Sequence, residues 1–137
     1  IEEACRFVNA NHVIEKLPNG FDEMVLERGK NFSSGERQLI SFARVVSHKP
    51  NVMILDEATS NIDTETEGLI QDSLKKMMNI GTMLIVAHRL STIQHCDKII
   101  VIQKGRIKEE GNHKELLEKG GFYADLYNAQ FMGNKLN

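Results

Sequence analysis

The chain has 137 residues, enough for one domain but not for two well-buried cores. Hydrophobic residues make up 41% and charged residues 26%, as in ordinary soluble globular domains. With 17 basic and 19 acidic side chains the formal net charge is -2, which excludes a long-range attraction to nucleic acid or anionic lipid.

Membrane insertion and secretion are not indicated by these residues. The longest apolar run, residues 83–87, is far shorter than the ~20 residues that a membrane-spanning helix needs. The first three residues lack the features of a signal peptide, and the missing initial Met predicts a piece of a longer protein. Cys5 and Cys96 have no metal-like spacing and indicate a reduced, cytosolic setting.

The first third of the chain is predicted to be mainly helical. Residues 1–17 have apolar side chains near a 3.6-residue period, which predicts a helix that ends at a Pro-Asn-Gly turn. Residues 21–32 are predicted to be irregular or extended. A second, well-buried helix is predicted to begin just after Ser33, because Ser33 and Glu36 have capping-box spacing. This helix is predicted to end before Pro50, since the residue before a proline disfavours the helical conformation.

Strands and helices then alternate. Apolar runs at residues 52–55 and 83–87 are typical of parallel strands covered on both faces. Between them a helix is predicted from Asp63 or Thr64, with Glu67 completing a second capping box and a glycine ending the helix.

The last third is predicted to hold a hairpin and two helices. A strand at residues 99–102 pairs with residues 106–109, Asn112 and Glu115 cap the next helix, and a last helix precedes a frayed tail from Gly133. The alternation predicts an α/β domain with a mainly parallel sheet, a C-terminal β-hairpin and helices on both faces.

The strongest local signal is the strand that ends in Asp56 and Glu57. Ligands of α/β proteins bind at the C-terminal edge of the sheet. One carboxylate there can hold Mg²⁺, usually through a water, and the other can polarise an attacking water. An acidic turn after a strand is also common, so these residues alone leave a structural and a functional interpretation equally open.

Two further segments could contact phosphate. His88 follows the second apolar strand, where an imidazole can position water, although a lone His is more often structural. The other histidines lack this placement and are interpreted as structural. Ser33 and Gly35 open a helix whose amides and dipole favour an anion, with a hydroxyl donor and room for close approach. Taken alone, that segment is more simply an ordinary N-cap.

In this order, the segments resemble the motifs of an ABC ATPase. Residues 32–36 resemble the signature motif, residues 52–56 resemble Walker B, and Glu57 takes the position of the catalytic glutamate. Residues 60–63 resemble the D-loop and His88 the switch histidine. The resemblance extends over nearly the whole chain.

The resemblance implies an incomplete P-loop NTPase-like core. Residues 1–47 would be part of the helical subdomain, and residues 48–137 would be the C-terminal half of the RecA-like ATPase core. Residues 27–29 resemble the X-loop, which meets the membrane domain. Residues 88–93 are similar to the segment that begins at the switch histidine in exporters whose membrane and ATPase domains are fused in one chain. The implied protein is a multidrug- or lipid-type exporter subunit on the cytoplasmic side of the cell membrane.

The family also implies partners and roles. Two ATPase domains, in a homodimer or a heterodimer, close head to tail around two ATPs. Residues 33–36 would address the γ-phosphate held by the opposite domain. Asp56 would hold Mg²⁺ through a water, and Glu57 would act on the attacking water. His88 would anchor the γ-phosphate, and Asp63 would couple the two sites. The region of Glu27 would meet the transmembrane domain of the same polypeptide, and no nucleic acid partner is implied.

Two features limit the isolated chain. The phosphate-gripping pattern G-x-x-x-x-G-K-[ST] is absent, because the Gly29-Lys30 pair is followed by Asn31. We therefore expect ATP and Mg²⁺ to bind in the full-length parent, but weakly or not at all to this chain. The usual signature sequence of the family is Leu-Ser-Gly-Gly-Gln. Here Ser34 adds a side chain in place of the first Gly, and Glu36 adds a negative charge in place of Gln. Both changes would weaken the ATP site of the partner domain, as in a heterodimer with one impaired site.

Two other classes of protein fit these residues less well. A soluble ABC ATPase of repair or translation is disfavoured by the exporter-like residues 27–29 and by the lack of basic charge. A non-catalytic interaction module is disfavoured by Glu57 and His88.

Overall fold

The chain is described by a computed structural model. The described residues are 1–56, 62, 64–87 and 89–133. They belong to two compact units, Ile1–Val86 and Ala87–Asn137. Every helix in the described ranges is too short or too polar to cross a lipid bilayer.

The first unit combines helices with a parallel pair of strands. Its elements are α1 (Glu2–Phe7), α2 (Asn11–Ile14), α3 (Ser34–Ser47), β1 (Val52–Asp56), α4 (Thr64–Met77) and β2 (Thr82–Val86). Two 3₁₀ turns, Gly20–Asp22 and Glu27–Gly29, interrupt the stretch that was predicted to be irregular.

The single helix predicted over residues 1–17 is wrong, because the chain breaks at Asn9. Asn9 has a left-handed φ of 60°, which Asn tolerates better than most residues. Its Nδ2 donates to Asp72 Oδ2 at 2.8 Å and lies 3.0 Å from Ser73 Oγ. Lys76 Nζ donates to Asn9 Oδ1 at 3.2 Å, and the buried Ser73 hydroxyl donates to Val8 O at 2.7 Å. These bonds to α4 hold the break in place.

The capping box predicted at the start of α3 is confirmed, as is the end of this helix before Pro50. One face of α3 is buried in the core of the unit, with Leu39 and Phe42 at 0% and 2% exposure. From α4, the side chains of Ile70, Leu74 and Met77 pack into the same core. α4 begins at Thr64, one of the two predicted starts. Its predicted capping box with Glu67 stays a prediction, because residue 63 and the side chain of Thr64 lie outside the described residues.

Strands β1 and β2 are parallel, as predicted, with Val52 opposite Thr82 and Asp56 opposite Val86. The expected coverage on both faces is wrong within the described residues. Met53 is buried, but Ile54 and Leu84 are 72% and 57% exposed. One face of the pair packs on the core, and no layer of the described residues covers the other.

The second unit is a hairpin with helices. Its elements are α5 (Leu90–Ile93), β3 (Ile99–Gln103), β4 (Arg106–Gly111), α6 (His113–Lys119) and α7 (Phe122–Gly133). The predicted hairpin is confirmed: β3 and β4 are antiparallel, and Lys104 and Gly105 both have positive φ, as a tight hairpin turn requires. The described strands thus form two small sheets in a mixed α/β fold.

The predicted cap of α6 is also confirmed, with Asn112 and Glu115 forming a reciprocal capping box. The start of α7 is capped from a distance. Glu109 on β4 accepts hydrogen bonds from Phe122 N at 2.8 Å and Tyr123 N at 2.9 Å. These backbone donors lower the pKa of Glu109 because they favour its ionised form.

We expect Glu109→Gln to destabilise the second unit at neutral pH. Because the folded-state pKa is lowered, the contribution of Glu109 is present above its unfolded pKa and is lost as the pH falls through the folded value. Urea midpoints between pH 2 and 7, followed by tyrosine signal from Tyr123 and Tyr127, measure this. The variant should show less loss on acidification than wild type, whereas Glu118→Gln, in an exposed acid of α6, should match wild type.

Candidate nucleotide-facing site

At the N-terminus of α3, two backbone amides donate to capping side chains, and two more have no acceptor within the helix. Ser33 Oγ accepts from Glu36 N at 3.2 Å, and Ser33 N donates to Glu36 Oε2 at 2.8 Å. First-turn amides have no carbonyl one turn earlier, so those of Ser34 and Gly35 are left over by the capping box. Ser33 and Ser34 are exposed, so an outside anion can reach this helix end and its dipole.

Gly35 is buried against residues of its own chain. A Cβ at this position would lie 2.9 Å from Thr66 Cβ and 3.0 Å from Ile62 Cγ2. The sequence indicated a glycine that lets a ligand approach. The structure adds a second requirement, the close packing of α3 on the start of α4, which the sequence alone does not indicate.

A cavity of about 220 Å³ opens beside this helix end. Its polar lining includes Ser33, Glu36, Thr66, His12 and Lys16. The sequence predicts a structural role for His12, but this residue is exposed and lines the cavity. No sequence signal could have found it, because the approach of residues 12 and 33 depends on the tertiary fold.

Asp56 is exposed at the C-terminal end of β1, opposite the last residue of β2. Because the two strands are parallel, they end at the same edge of the sheet. An exposed carboxylate there suits Mg²⁺, which prefers oxygen ligands and retains several waters. Among the described residues, no group of three or more His, Cys, Asp or Glu side chains is placed to hold a metal ion.

Three predicted site residues, Glu57, Asp63 and His88, lie outside the described residues. Along the chain, Glu57 directly follows β1, and His88 comes two residues after the end of β2. Their roles stay predictions.

The loop before α3 carries a surface of exposed apolar side chains. Met24, Val25 and Leu26 are 75%, 65% and 51% exposed, next to the Glu27–Gly29 turn. The loop is nevertheless ordered by hydrogen bonds, because Leu26 N donates to Asn31 Oδ1 and Asn31 Nδ2 donates to Met24 O, both at 3.1 Å. An exposed apolar surface on an ordered loop is typical of a protein contact.

Comparisons with known proteins agree with the motifs. Residues 3–60 match the family model described as ABC transporter. The chain is 49% identical over 131 residues to the uncharacterized ABC transporter ATP-binding protein YfiC of Bacillus subtilis, covering 96% of this chain and 22% of that protein. It is 47% identical over 133 residues to the ATP-dependent lipid A-core flippase of Alkalilimnicola ehrlichii, covering 97% and 23%.

A solved structure is also similar. The structure of a bacterial Atm1-family ABC exporter with ATP bound superposes with a TM-score of 0.81 and 37% sequence identity, covering 94% of this chain and 23% of that one. The chain spans about a fifth of the length of the curated relatives it matches. With its mixed α/β fold and a signature-like helix start, the chain belongs to the ABC transporter family, as part of its ATP-binding domain.

Proposed function

We propose that the chain is the C-terminal half of the ATPase domain of an exporter that couples ATP binding and hydrolysis to transport across a membrane. In this proposal, residues 1–47 belong to the helical subdomain and residues 48–137 to the ATPase core. The observation that carries the proposal is the start of α3, where the capping box leaves the amides of Ser34 and Gly35 for an outside anion.

This helix end serves ATP held by a second ABC ATPase domain. The Ser33 oxygen accepts the Glu36 amide, so the hydroxyl hydrogen is left to donate outward to a phosphate oxygen. The amides of Ser34 and Gly35 donate in the same direction, with the helix dipole adding to the attraction. Glu36 keeps its carboxylate on the Ser33 amide, where it supports the cap but adds negative charge near the incoming phosphate.

The chain's own site lies at the end of β1. Asp56 would hold Mg²⁺ through a water, and the ion when bound would neutralise charge on the phosphate oxygens. Glu57 accepts a proton from the attacking water, and His88 donates a hydrogen bond to the γ-phosphate. Asp63 links this site to the one across the interface.

The ordered apolar loop supports a partner of another kind. Met24, Val25 and Leu26 offer apolar contact area, and Glu27 lies beside them. We place the transmembrane domain of the same polypeptide on this surface, so that the chain works at the cytoplasmic side of the cell membrane. The formal net charge of -2 gives the chain no electrostatic attraction to nucleic acid, so no nucleic acid partner is proposed.

Calorimetry of the isolated chain and of the full-length protein tests this division of labour. We expect Mg-ATP to bind the 137-residue chain with a Kd weaker than about 1 mM, because the phosphate-binding pattern G-x-x-x-x-G-K-[ST] is absent from its sequence. The full-length protein should bind with clear saturation. Tight stoichiometric binding to the chain would overturn the assignment of roles, and a full-length protein that binds no ATP would overturn the proposed function.

A further inference from the structure

One arginine joins the loop before α3 to the helix itself. Arg37 lies in the first turns of α3, and its Nη1 donates to Phe32 O at 2.5 Å and to Gly29 O at 3.3 Å. Both bonds come from the same nitrogen, whose two N–H groups are fixed in the guanidinium plane, so both carbonyls are held relative to the helix.

The segment that Arg37 holds is itself well ordered. Gly29 N donates to Leu26 O at 2.7 Å, and Phe32 N donates to Gly29 O at 3.0 Å. Gly29 is buried with a left-handed φ of 65°, and a Cβ there would lie 3.0 Å from Arg37 Cδ, so the arginine stem lies directly over the glycine. Phe32 is anchored in the core at 7% exposure. The Glu27–Gly29 turn and the start of α3 are therefore packed as one piece.

Under the proposed function, the Glu27–Gly29 turn and the start of α3 contact different partners. The turn borders the apolar surface given to the transmembrane domain, whereas Ser33, directly after Phe32, begins the phosphate-facing helix end. We propose that Arg37 is a positioning residue that transmits displacement between the Glu27–Gly29 turn and the N-terminus of α3. Because such coupling is reciprocal, ATP at the helix end must also alter the turn. This inference rests on the proposed function.

Hydrogen–deuterium exchange of the full-length protein in lipid nanodiscs tests the coupling. A Glu57→Gln background keeps the added Mg-ATP intact. With Arg37 present, ATP should slow exchange both at residues 33–36 and at residues 24–31. In Arg37→Met, which keeps the stem but removes the donors, the slowing at residues 33–36 should persist. The slowing at residues 24–31 should shrink by about fivefold or more.

Two further variants separate the guanidinium contacts from general effects. Arg44→Met makes the same change at an exposed position later in α3 and should behave like the parent. Arg37→Lys keeps the charge and a nitrogen donor without the planar guanidinium, so its ATP-dependent slowing of exchange at residues 24–31 should lie between that of the parent and that of Arg37→Met.

The outcomes are distinct. If ATP slows exchange at residues 24–31 as much in Arg37→Met as in the parent, the proposed role of Arg37 in transmission is wrong. If it loses protection in both segments together with ATP affinity, Arg37 is only structural and the inference is also wrong. If the parent shows no ATP-dependent protection at residues 33–36, the proposed function itself has failed.

Discussion

Replacing Glu57 with Gln in the full-length protein is expected to lower the rate of ATP hydrolysis by ~10²–10⁴-fold while ATP stays bound. Gln has nearly the same shape but cannot accept the proton of the attacking water. Glu57 directly follows the exposed Asp56 at the end of a parallel strand, where the edge of the sheet is open to ligands. Phosphate release measures turnover, and retention of radiolabelled ATP after rapid filtration measures binding.

The control for this experiment is Glu3→Gln, which makes the same change in an exposed acid of α1 and should keep the parent's rate. Hydrolysis by Glu57→Gln close to the parent's rate would remove Glu57 from catalysis. Joint loss of binding and turnover would give it a structural role instead. Retained binding with lost turnover separates an ATPase from a non-catalytic interaction module.

A second large effect is expected at Gly35, where Ala should lower the free energy of unfolding of the chain. A Cβ would lie 2.9 Å from Thr66 Cβ and 3.0 Å from Ile62 Cγ2, closer than van der Waals contact. Overpacking of this kind costs about 1–3 kcal/mol. Ala is a better helix former than Gly by up to ~1 kcal/mol, which offsets part of this cost. Steric overlap is the larger of the two, so we expect a net loss of about 1–2 kcal/mol.

Urea denaturation of the 137-residue chain, followed by far-ultraviolet circular dichroism, measures this loss. Ser34→Ala, at the exposed neighbouring position, should stay within about 0.5 kcal/mol of wild type. Thr66→Ser removes the methyl group nearest to the new Cβ but keeps the hydroxyl, so it should restore part of the stability of Gly35→Ala. A Gly35→Ala chain as stable as wild type would show that α3 and α4 can move apart freely.

The features predicted correctly from sequence are those governed by short-range chemistry. The capping boxes at Ser33 and Asn112 depend on residues three apart, and the hairpin depends on its own turn. The break at Asn9 was missed because its hydrogen-bond partners are more than sixty residues away in α4. An apolar run such as residues 52–55 cannot reveal how many of its faces are covered.

The candidate site shows the same division. Ser33 and Glu36 could be paired from their spacing, whereas the approach of His12 to Ser33 and of Thr66 to Gly35 arises only in the folded chain. Asp56 was correctly placed at the end of a strand, because an apolar run followed by an acid is a local pattern. Arg37 carries no sequence signal for its bonds to the preceding loop, since basic residues are common on helices.

The contacts of Asn9 and Ser73 with their neighbours have a mechanical consequence. They join the helices of residues 1–47 to α4, which lies beyond the subdomain boundary proposed at residue 47. A swing of the first helices would pull α4 with it, because Lys76 and Asp72 grip Asn9 from the same helix face. Since α3 packs on the start of α4 at Gly35, α3 and α4 would then move together with the first helices.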